Sequence, residues 1–273
     1  MNEIRGKRTL AENVIEYEIA APSIVRNARP GQFVILIVDE GGERVPFTIA
    51  DFSAEKGTVT VLVQTVGYST MALSQKNVGD SIFAIVGPLG TPTDLSGYSN
   101  ILLVAGGIGS AVIFPQAKAL FQRGTAADVV LGARNASLIF YEEEFRRVAN
   151  AVYIATNDGS MGVKGFVTDV IGSLVQKKRY DAVFAVGPLA MMRAVCELTR
   201  PLGIKTVVSM NSMMVDGTGM CGCCRVTVDG KVRYACVDGP EFDGHLVDFD
   251  EAISRAAFYA EQERGHVCRL KGV

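Results

Sequence analysis

The stretch Ile101-Leu-Leu-Val-Ala105-Gly-Gly-Ile-Gly109-Ser-Ala111 decides the fold. Five uncharged apolar residues in a row predict a strand buried on both faces. Three glycines follow within four residues, and a helical pattern comes next. A buried strand that turns on glycines into a helix opens a βαβ unit. Glycine lets the backbone approach a phosphate, and the helix N-terminus favours the phosphate charge. Glycines also serve plain tight turns. What makes Gly106, Gly107 and Gly109 candidates for nucleotide binding is therefore their context.

That context is a run of further short apolar strands. Asp128-Val-Val-Leu131, Val152-Tyr-Ile-Ala155, Asp181-Ala-Val-Phe-Ala-Val186 and Thr206-Val-Val-Ser209 follow, with helical patterns or loops in most gaps. Pro188–Leu198 reads as a helix with proline near its first position. The alternation predicts a doubly wound, five-stranded parallel sheet. Ligands of such sheets gather at the carboxyl ends of strands. Arg134, the Thr156-Asn-Asp158-Gly159-Ser160 loop and Gly187-Pro188-Leu-Ala-Met191 lie there. Their blander reading is as turns and caps, with Met191 and Met192 in the core and Arg134 in solvent.

Upstream of Ser99 the rhythm is β. Gln32–Val38, Gly57–Gln64 and Asp80–Val86 are strand-like, and glycine-bearing turns separate them. Short strands at this spacing predict an antiparallel barrel. This half carries Arg44-Val-Pro46-Phe47-Thr48, Gly67-Tyr68-Ser69-Thr70 and Gly87-Pro-Leu-Gly90. Taken singly these are a strand, a turn with a helix cap, and a loop. Phe47 and Tyr68 are by default core aromatics.

Downstream, four of the six cysteines crowd between Cys221 and Cys236. Plant-type [2Fe–2S] sites use C-x4-C-x2-C with a distant fourth cysteine. Asp216-x4-Cys221-x2-Cys224, then Cys236 after eleven residues, fits that frame with Asp in first place. An aspartate keeps the single negative charge of a thiolate but is a harder ligand. Gly217, Gly219 and Gly222 let the loop curl around a cluster. Cys223 reads as a neighbour. A structural zinc site built from Cys221, Cys223 or Cys224, Cys236 and His245 is the alternative, although zinc ribbons use two C-x2-C knuckles and only one is present. A last helix is expected from about Asp250, with Ile253, Ala256, Ala257 and Ala260 on one face and Gly265 closing it.

Composition bounds the rest. The 273 residues are 48% hydrophobic and 21% charged, with a net charge of −2. That excludes wholesale disorder and a broadly basic surface for nucleic acid or anionic membrane. Two histidines leave little for a His-based metal site or for many hydrolytic schemes. The N-terminus has no apolar signal region. The apolar stretch from Ile101 towards Lys118 is broken by three glycines and a proline and does not make a membrane span. The chain reads as cytoplasmic.

Together these motifs resemble the ferredoxin–NADP reductase superfamily. Over essentially the whole chain they are similar to its iron–sulfur electron-transfer subunits. These include the dihydroorotate dehydrogenase type, hydrogenase-associated diaphorase subunits and, more closely, the small subunits of NADH-dependent reduced ferredoxin:NADP oxidoreductases. Asp at position 216 and the Cys236-Val-Asp-Gly-Pro-Glu-Phe-Asp-Gly-His245 segment favour the last. The resemblance implies an FAD-binding barrel over residues 1–97, an NAD(P)-binding domain over 98–209, and a [2Fe–2S] segment over 210–273. It implies that Arg44, Pro46, Phe47 and Thr48 hold FAD, with Phe47 against the flavin. Gly67, Ser69 and Thr70 would take its pyrophosphate. The strand-end loops named above would bind NAD(H) or NADP(H), and Asp216, Cys221, Cys224 and Cys236 would ligate the cluster. It implies a larger flavoprotein partner with [4Fe–4S] clusters, and electron bifurcation in the complex. Two departures stand out. The family pattern places arginine at the Val45 position, so Arg44 sits one residue early, which on a strand changes its face. The family's cysteine before Gly-Pro is Val186.

Overall fold

The structure is a computed structural model that describes residues 2–258. Two antiparallel sheets form the first part. Strands β1 (Ile4–Ala11), β2 (Val14–Ala20), β3 (Phe33–Ile37), β4 (Arg44–Thr48), β5 (Asp51–Ser53), β6 (Thr58–Gln64) and β7 (Ala84–Leu89) sort into the orders β1-β2-β6-β5 and β4-β3-β7. Tyr17 and Ile19 of β2, Val34 and Leu36 of β3, Phe47 of β4 and Val59, Val61 and Val63 of β6 share one core. The alternation of β3 and β6 places this set inward. Two short helices attach, α1 (Pro22–Val25) and α2 (Tyr68–Gln75). The Tyr17 hydroxyl donates to the Leu73 carbonyl at 2.8 Å and so ties α2 to the core. The expected strand at Asp80–Val86 begins four residues later, at Ala84.

The second part is the parallel sheet. Strands β8 (Ile101–Gly106), β9 (Asp128–Ala133), β10 (Ala151–Thr156), β11 (Val163–Lys164), β12 (Ala182–Val186) and β13 (Lys205–Ser209) alternate with α3 (Ser110–Gln122), α4 (Glu142–Arg146), α5 (Val167–Val175) and α6 (Leu189–Thr199). The five predicted strands pair in parallel in the order β10-β9-β8-β12-β13. Odd-numbered β8 residues Ile101, Leu103 and Ala105 pack with Ile113, Phe114, Ala117 and Phe145. Even-numbered Leu102 and Val104 pack with Val170, Ile171, Met192 and Val195. Both faces of β8 are thus covered, as its unbroken apolar run predicts. The chain reverses its winding between β8 and β12, so the crevice at their carboxyl ends is the switch point.

The cysteine segment does not stand apart. It contributes a hairpin, β14 (Arg225–Val228) with β15 (Lys231–Tyr234), and then β16 (Glu241–Asp243). Strand β16 pairs antiparallel with β13, and the sheet reaches seven strands with β11 and β16 at its edges. Helix α7 (Phe249–Ala256) follows, capped by the Asp248 carboxylate, which accepts the Glu251 N–H at 2.9 Å. The expected last helix begins about where predicted. Its proposed Ala260 and Gly265 lie outside the described residues.

Candidate functional site

The switch point is built by close backbone contact. A Cβ on Gly109 would lie 2.1 Å from the Val186 carbonyl oxygen, at the end of β12. A Cβ on Gly106 would lie 2.5 Å from the Met191 sulfur and 3.0 Å from Pro188, and one on Gly187 would lie 2.8 Å from the Met191 methyl. Gly106, Gly109, Gly187, Pro188 and Met191 are therefore brought together. Gly107 alone of the three loop glycines faces open space, at φ +54°. Gly106 and Gly109 serve packing of one loop on the other, and Gly107 is left unobstructed. Met192 is fully buried in the sheet core, whereas Met191 is half-buried against the glycines.

The next strand ends are tied to each other. The Thr156 hydroxyl, fully buried, donates to the Met161 carbonyl at 2.7 Å and accepts its N–H at 3.0 Å. Asp158 accepts the Ser160 N–H and hydroxyl at 2.9 and 2.6 Å, which hold its carboxyl below the usual range. Ser160 in turn accepts the Ala136 N–H at 2.8 Å. A Cβ on Gly159 would meet Lys164 at 2.9 Å. These polar groups shape the loop first, and Arg134 stands exposed beside it. The cap-and-turn reading thus describes what Thr156 and Ser160 do here.

In the barrel, alternation along β4 sorts the candidate residues by face. Phe47 is buried with Val34 and Val61 in the barrel core, the default reading of this aromatic. Alternation along β4 turns Pro46 and Thr48 to the opposite side, and both are half-buried. Arg44 does not reach towards α2. Its guanidinium donates to the Val215 carbonyl at 2.5 Å and to the Asp216 carbonyl at 3.2 Å. The one-residue shift noted in the sequence thus aims this arginine at the cysteine loop. At the start of α2, the Thr70 hydroxyl accepts the Gly67 N–H at 3.0 Å, a reciprocal cap. Ser69 donates to the Glu43 carboxylate. The first backbone N–H groups after Gly67 have no partner within the helix.

The four candidate metal donors form two pairs. Cys224 and Cys236 are buried, their sulfurs 3.2 Å apart, and burial pushes the Cys236 thiol up to about 12. Cys221 is exposed at the loop mouth and Asp216 is half-buried beside it. The Asp216 carboxylate accepts the Cys221 N–H and, on its other oxygen, the Thr218 N–H and hydroxyl. Interaction with the Cys221 thiol and with Thr218 holds it well below the carboxylate range. No group of three or more Cys, His, Asp or Glu stands ready-made for a single ion among the described residues. The His245 ring instead meets the Thr199 hydroxyl at 3.1 Å, on α6. That removes the fourth ligand of the zinc alternative. Cys223 is half-exposed, its sulfur 4.0 Å from the Cys221 carbonyl.

The loop fits a cluster better than a lone ion. Gly217, Gly219 and Gly222 all have positive φ, between +68° and +86°. A Cβ on Gly217 would lie 2.7 Å from both Ile35 and Leu89 of the barrel, so the loop is pressed onto β3 and β7. The Gly219 N–H is directed at the Cys236 thiol. Phe33, Ile35 and Met214 close an apolar floor around Cys224 and Cys236. Sequence reasoning missed this floor and the Arg44 bonds. The first had a signal, the odd positions of β3. The second had the one-residue offset of Arg44.

Residues 103–197 match the oxidoreductase NAD-binding domain family. Residues 211–248 match the iron–sulfur cluster binding domain of dihydroorotate dehydrogenase B. A dihydroorotate dehydrogenase B (NAD(+)) electron transfer subunit homolog of Thermotoga maritima is 47% identical over 97% of this chain and 93% of its own length. The electron transfer subunit of Bacillus caldolyticus is 33% identical over 88% of this chain and 94% of its own.

The chain belongs to the family of dihydroorotate dehydrogenase B electron transfer subunits.

A solved chain from the NADH-dependent reduced ferredoxin-NADP oxidoreductase, studied for flavin-based electron bifurcation, superposes with a TM-score of 0.93. It is 45% identical and covers 99% of this chain and 98% of its own. The fold is thus the ferredoxin–NADP reductase type, with an antiparallel barrel, a parallel nucleotide-binding sheet and an iron–sulfur segment. This family member is an NAD-binding, iron–sulfur oxidoreductase subunit. None of its helices among the described residues is long and apolar enough to cross a membrane.

Proposed function

We propose that this chain passes electrons between NAD(H) or NADP(H), FAD and a [2Fe–2S] cluster, and on to a larger partner subunit. One observation carries the reading. The barrel strand β3 supplies the floor of the Cys224–Cys236 pocket, while Arg44 of the neighbouring β4 holds the loop above it. A flavin strand and a cluster loop are therefore in direct contact.

A bound flavin would supply the hydride chemistry with a nicotinamide, and a bound cluster the single-electron chemistry. The chain's own residues position and insulate. Gly107 and the first turn of α3 receive the nucleotide phosphates at the switch point. Met191 and Pro188 border the same crevice. Pro46 and Thr48 present the outer side of β4 to the flavin, and the first turn of α2, after Gly67, receives its pyrophosphate. Cys221, Cys224, Cys236 and Asp216 would hold the cluster, and the Gly219 N–H would support the Cys236 sulfur. No general acid or nucleophile is needed. In this reading residues 1–97, 98–209 and 210–273 are the FAD, nucleotide and cluster parts.

The partner is a larger flavoprotein with [4Fe–4S] clusters in a cytoplasmic, bifurcating complex of the reduced ferredoxin–NADP type. Likeness at 45% identity over the full chain supports this. Exposed Met213, Val215, Met220 and Val237 give the loop an apolar rim through which to meet it. The match of residues 211–248 to the dihydroorotate dehydrogenase domain favours a second reading, in which the partner oxidises dihydroorotate. The test is an anaerobic visible spectrum with flavin and iron assays on the purified chain, then identification of the subunit that co-purifies. One FAD and two irons per chain support the relay. A folded sample with neither rejects it.

A further inference from the structure

Thr93, Gln116 and Glu241 meet where the three parts of the chain converge. Thr93 stands between β7 and β8, Gln116 lies on α3, and Glu241 opens β16. Glu241 Oε1 accepts from Thr93 Oγ1 at 2.8 Å and from Gln116 Nε2 at 2.6 Å. Gln116 Nε2 also reaches Thr93 Oγ1 at 3.1 Å. The contact is tight, since a Cβ on Gly31 would lie 2.1 Å from Thr93 Oγ1. Gln116 is fully buried, and its Oε1 has no hydrogen-bond partner. The Glu241 carboxyl is enclosed even though the residue as a whole is half-buried.

A buried amide oxygen without a donor is costly, and a carboxylate cannot supply one. A carboxylic acid can. Gln116 already gives its N–H to Oε1 of Glu241. A proton on Oε2 closes a two-bond ring between acid and amide. We propose that Glu241 is held as a neutral carboxylic acid that donates to Gln116 Oε1, and that this ring fastens the cysteine segment to the nucleotide domain.

The surroundings agree. Burial pushes the Glu241 carboxyl up to about 7, against the pull of its two donors. Charged groups on the packed elements are engaged elsewhere. Lys118 on α3 holds Asp51 at 2.7 Å, and Asp94 beside Thr93 holds Ser96. Asp243 on β16 takes the His245 N–H, and Lys205 on β13 lies over the Tyr98 ring. Among the described residues no ion pair reaches Glu241. Removing the proton leaves a buried carboxylate with two donors but no cation beside it, and an orphan oxygen on Gln116. The seat of the cysteine segment thereby becomes pH-dependent, whatever cofactor it carries.

The sign follows from linkage. The folded state binds this proton more tightly than the unfolded chain, so stability falls as pH rises from about 4.5 through about 7. The expected cost between about pH 5 and about pH 8.5 is on the order of a hundredfold in the unfolding equilibrium. Glu241→Gln keeps the two-bond ring without a proton. Its melting profile should lack this fall, matching the parent at low pH and exceeding it at high pH. Infrared spectra of the purified full chain should show a protonated carboxylic acid that shifts in D2O, fades as pH passes about 7, and is missing from E241Q. Parallel pH profiles for parent and variant, or no such band in the parent at acidic pH, overturn the proposal. If E241Q does not fold, the parent's band and its titration decide alone.

Discussion

Replacing Gly109 by alanine should be the most damaging single change among the glycines after β8. Its φ of −57° suits alanine, so the backbone itself does not object. The new Cβ would lie 2.1 Å from the Val186 oxygen and 2.7 Å from its carbon. Both are backbone atoms of a central strand and cannot rotate away. Reaching even 3.0 Å from the oxygen requires the loop and β12 to part by about 0.9 Å. Overpacking of this kind costs about 1–3 kcal/mol, and the stiffer unfolded chain returns about 0.4–1. The net loss of about 1–2 kcal/mol lowers Tm by roughly 2–8 °C in a chain of this size. The displacement falls at the switch point, so KM for the nicotinamide nucleotide should rise about tenfold or more. Gly106→Ala instead meets the flexible Met191 side chain and should melt close to the parent, with a smaller change in KM. Gly107→Ala meets nothing within 4 Å but must hold φ +54°, at about 1 kcal/mol. Thermal melts and NADH-dependent dye reduction on the three variants check the order. A Gly109→Ala protein that melts with the parent and keeps its KM would refute the argument.

Three further outcomes are expected. Arg44→Leu removes two bonds to the Val215 and Asp216 carbonyls, so it should speed iron loss and alter the cluster's electron paramagnetic resonance while FAD content stays unchanged. Loss of FAD with an intact cluster would return Arg44 to the flavin. Asp216→Cys should keep two irons with a changed spectrum, whereas Asp216→Ala strips an acceptor from Thr218 and Cys221 and should lower iron content. An unaltered spectrum in the cysteine variant counts against ligation. Cys224→Ser or Cys236→Ser should abolish the cluster, and Cys223→Ser should not, as iron and sulfide assays will tell.

The parallel sheet was legible because its strands are buried on both faces and therefore read as unbroken apolar runs. Strands β1 and β2 were not. Ile4-Arg-Gly-Lys-Arg-Thr-Leu-Ala11 lies against solvent on one side and carries charges through most of its length. Strand β16 was invisible for another reason. Glu241-Phe-Asp243 has no pattern of its own and becomes a strand only because β13 offers it an edge. At the site, residue types were readable and their partners were not. A glycine says that room is needed, but not whether a ligand or Val186 fills it. The burial of Phe47 follows from β4 alternation, which the motif alone did not fix.

The pairing of β16 with β13 has a consequence for biogenesis. The segment that holds Cys236 takes its register from the last parallel strand, which is complete only when the sheet before it has formed. The local β14–β15 hairpin brings Cys224 and Cys236 together, and the pairing of β16 with β13 ties that hairpin to the nucleotide sheet. The seat of the cysteine segment is thus complete only when the preceding domain has built its last parallel strand.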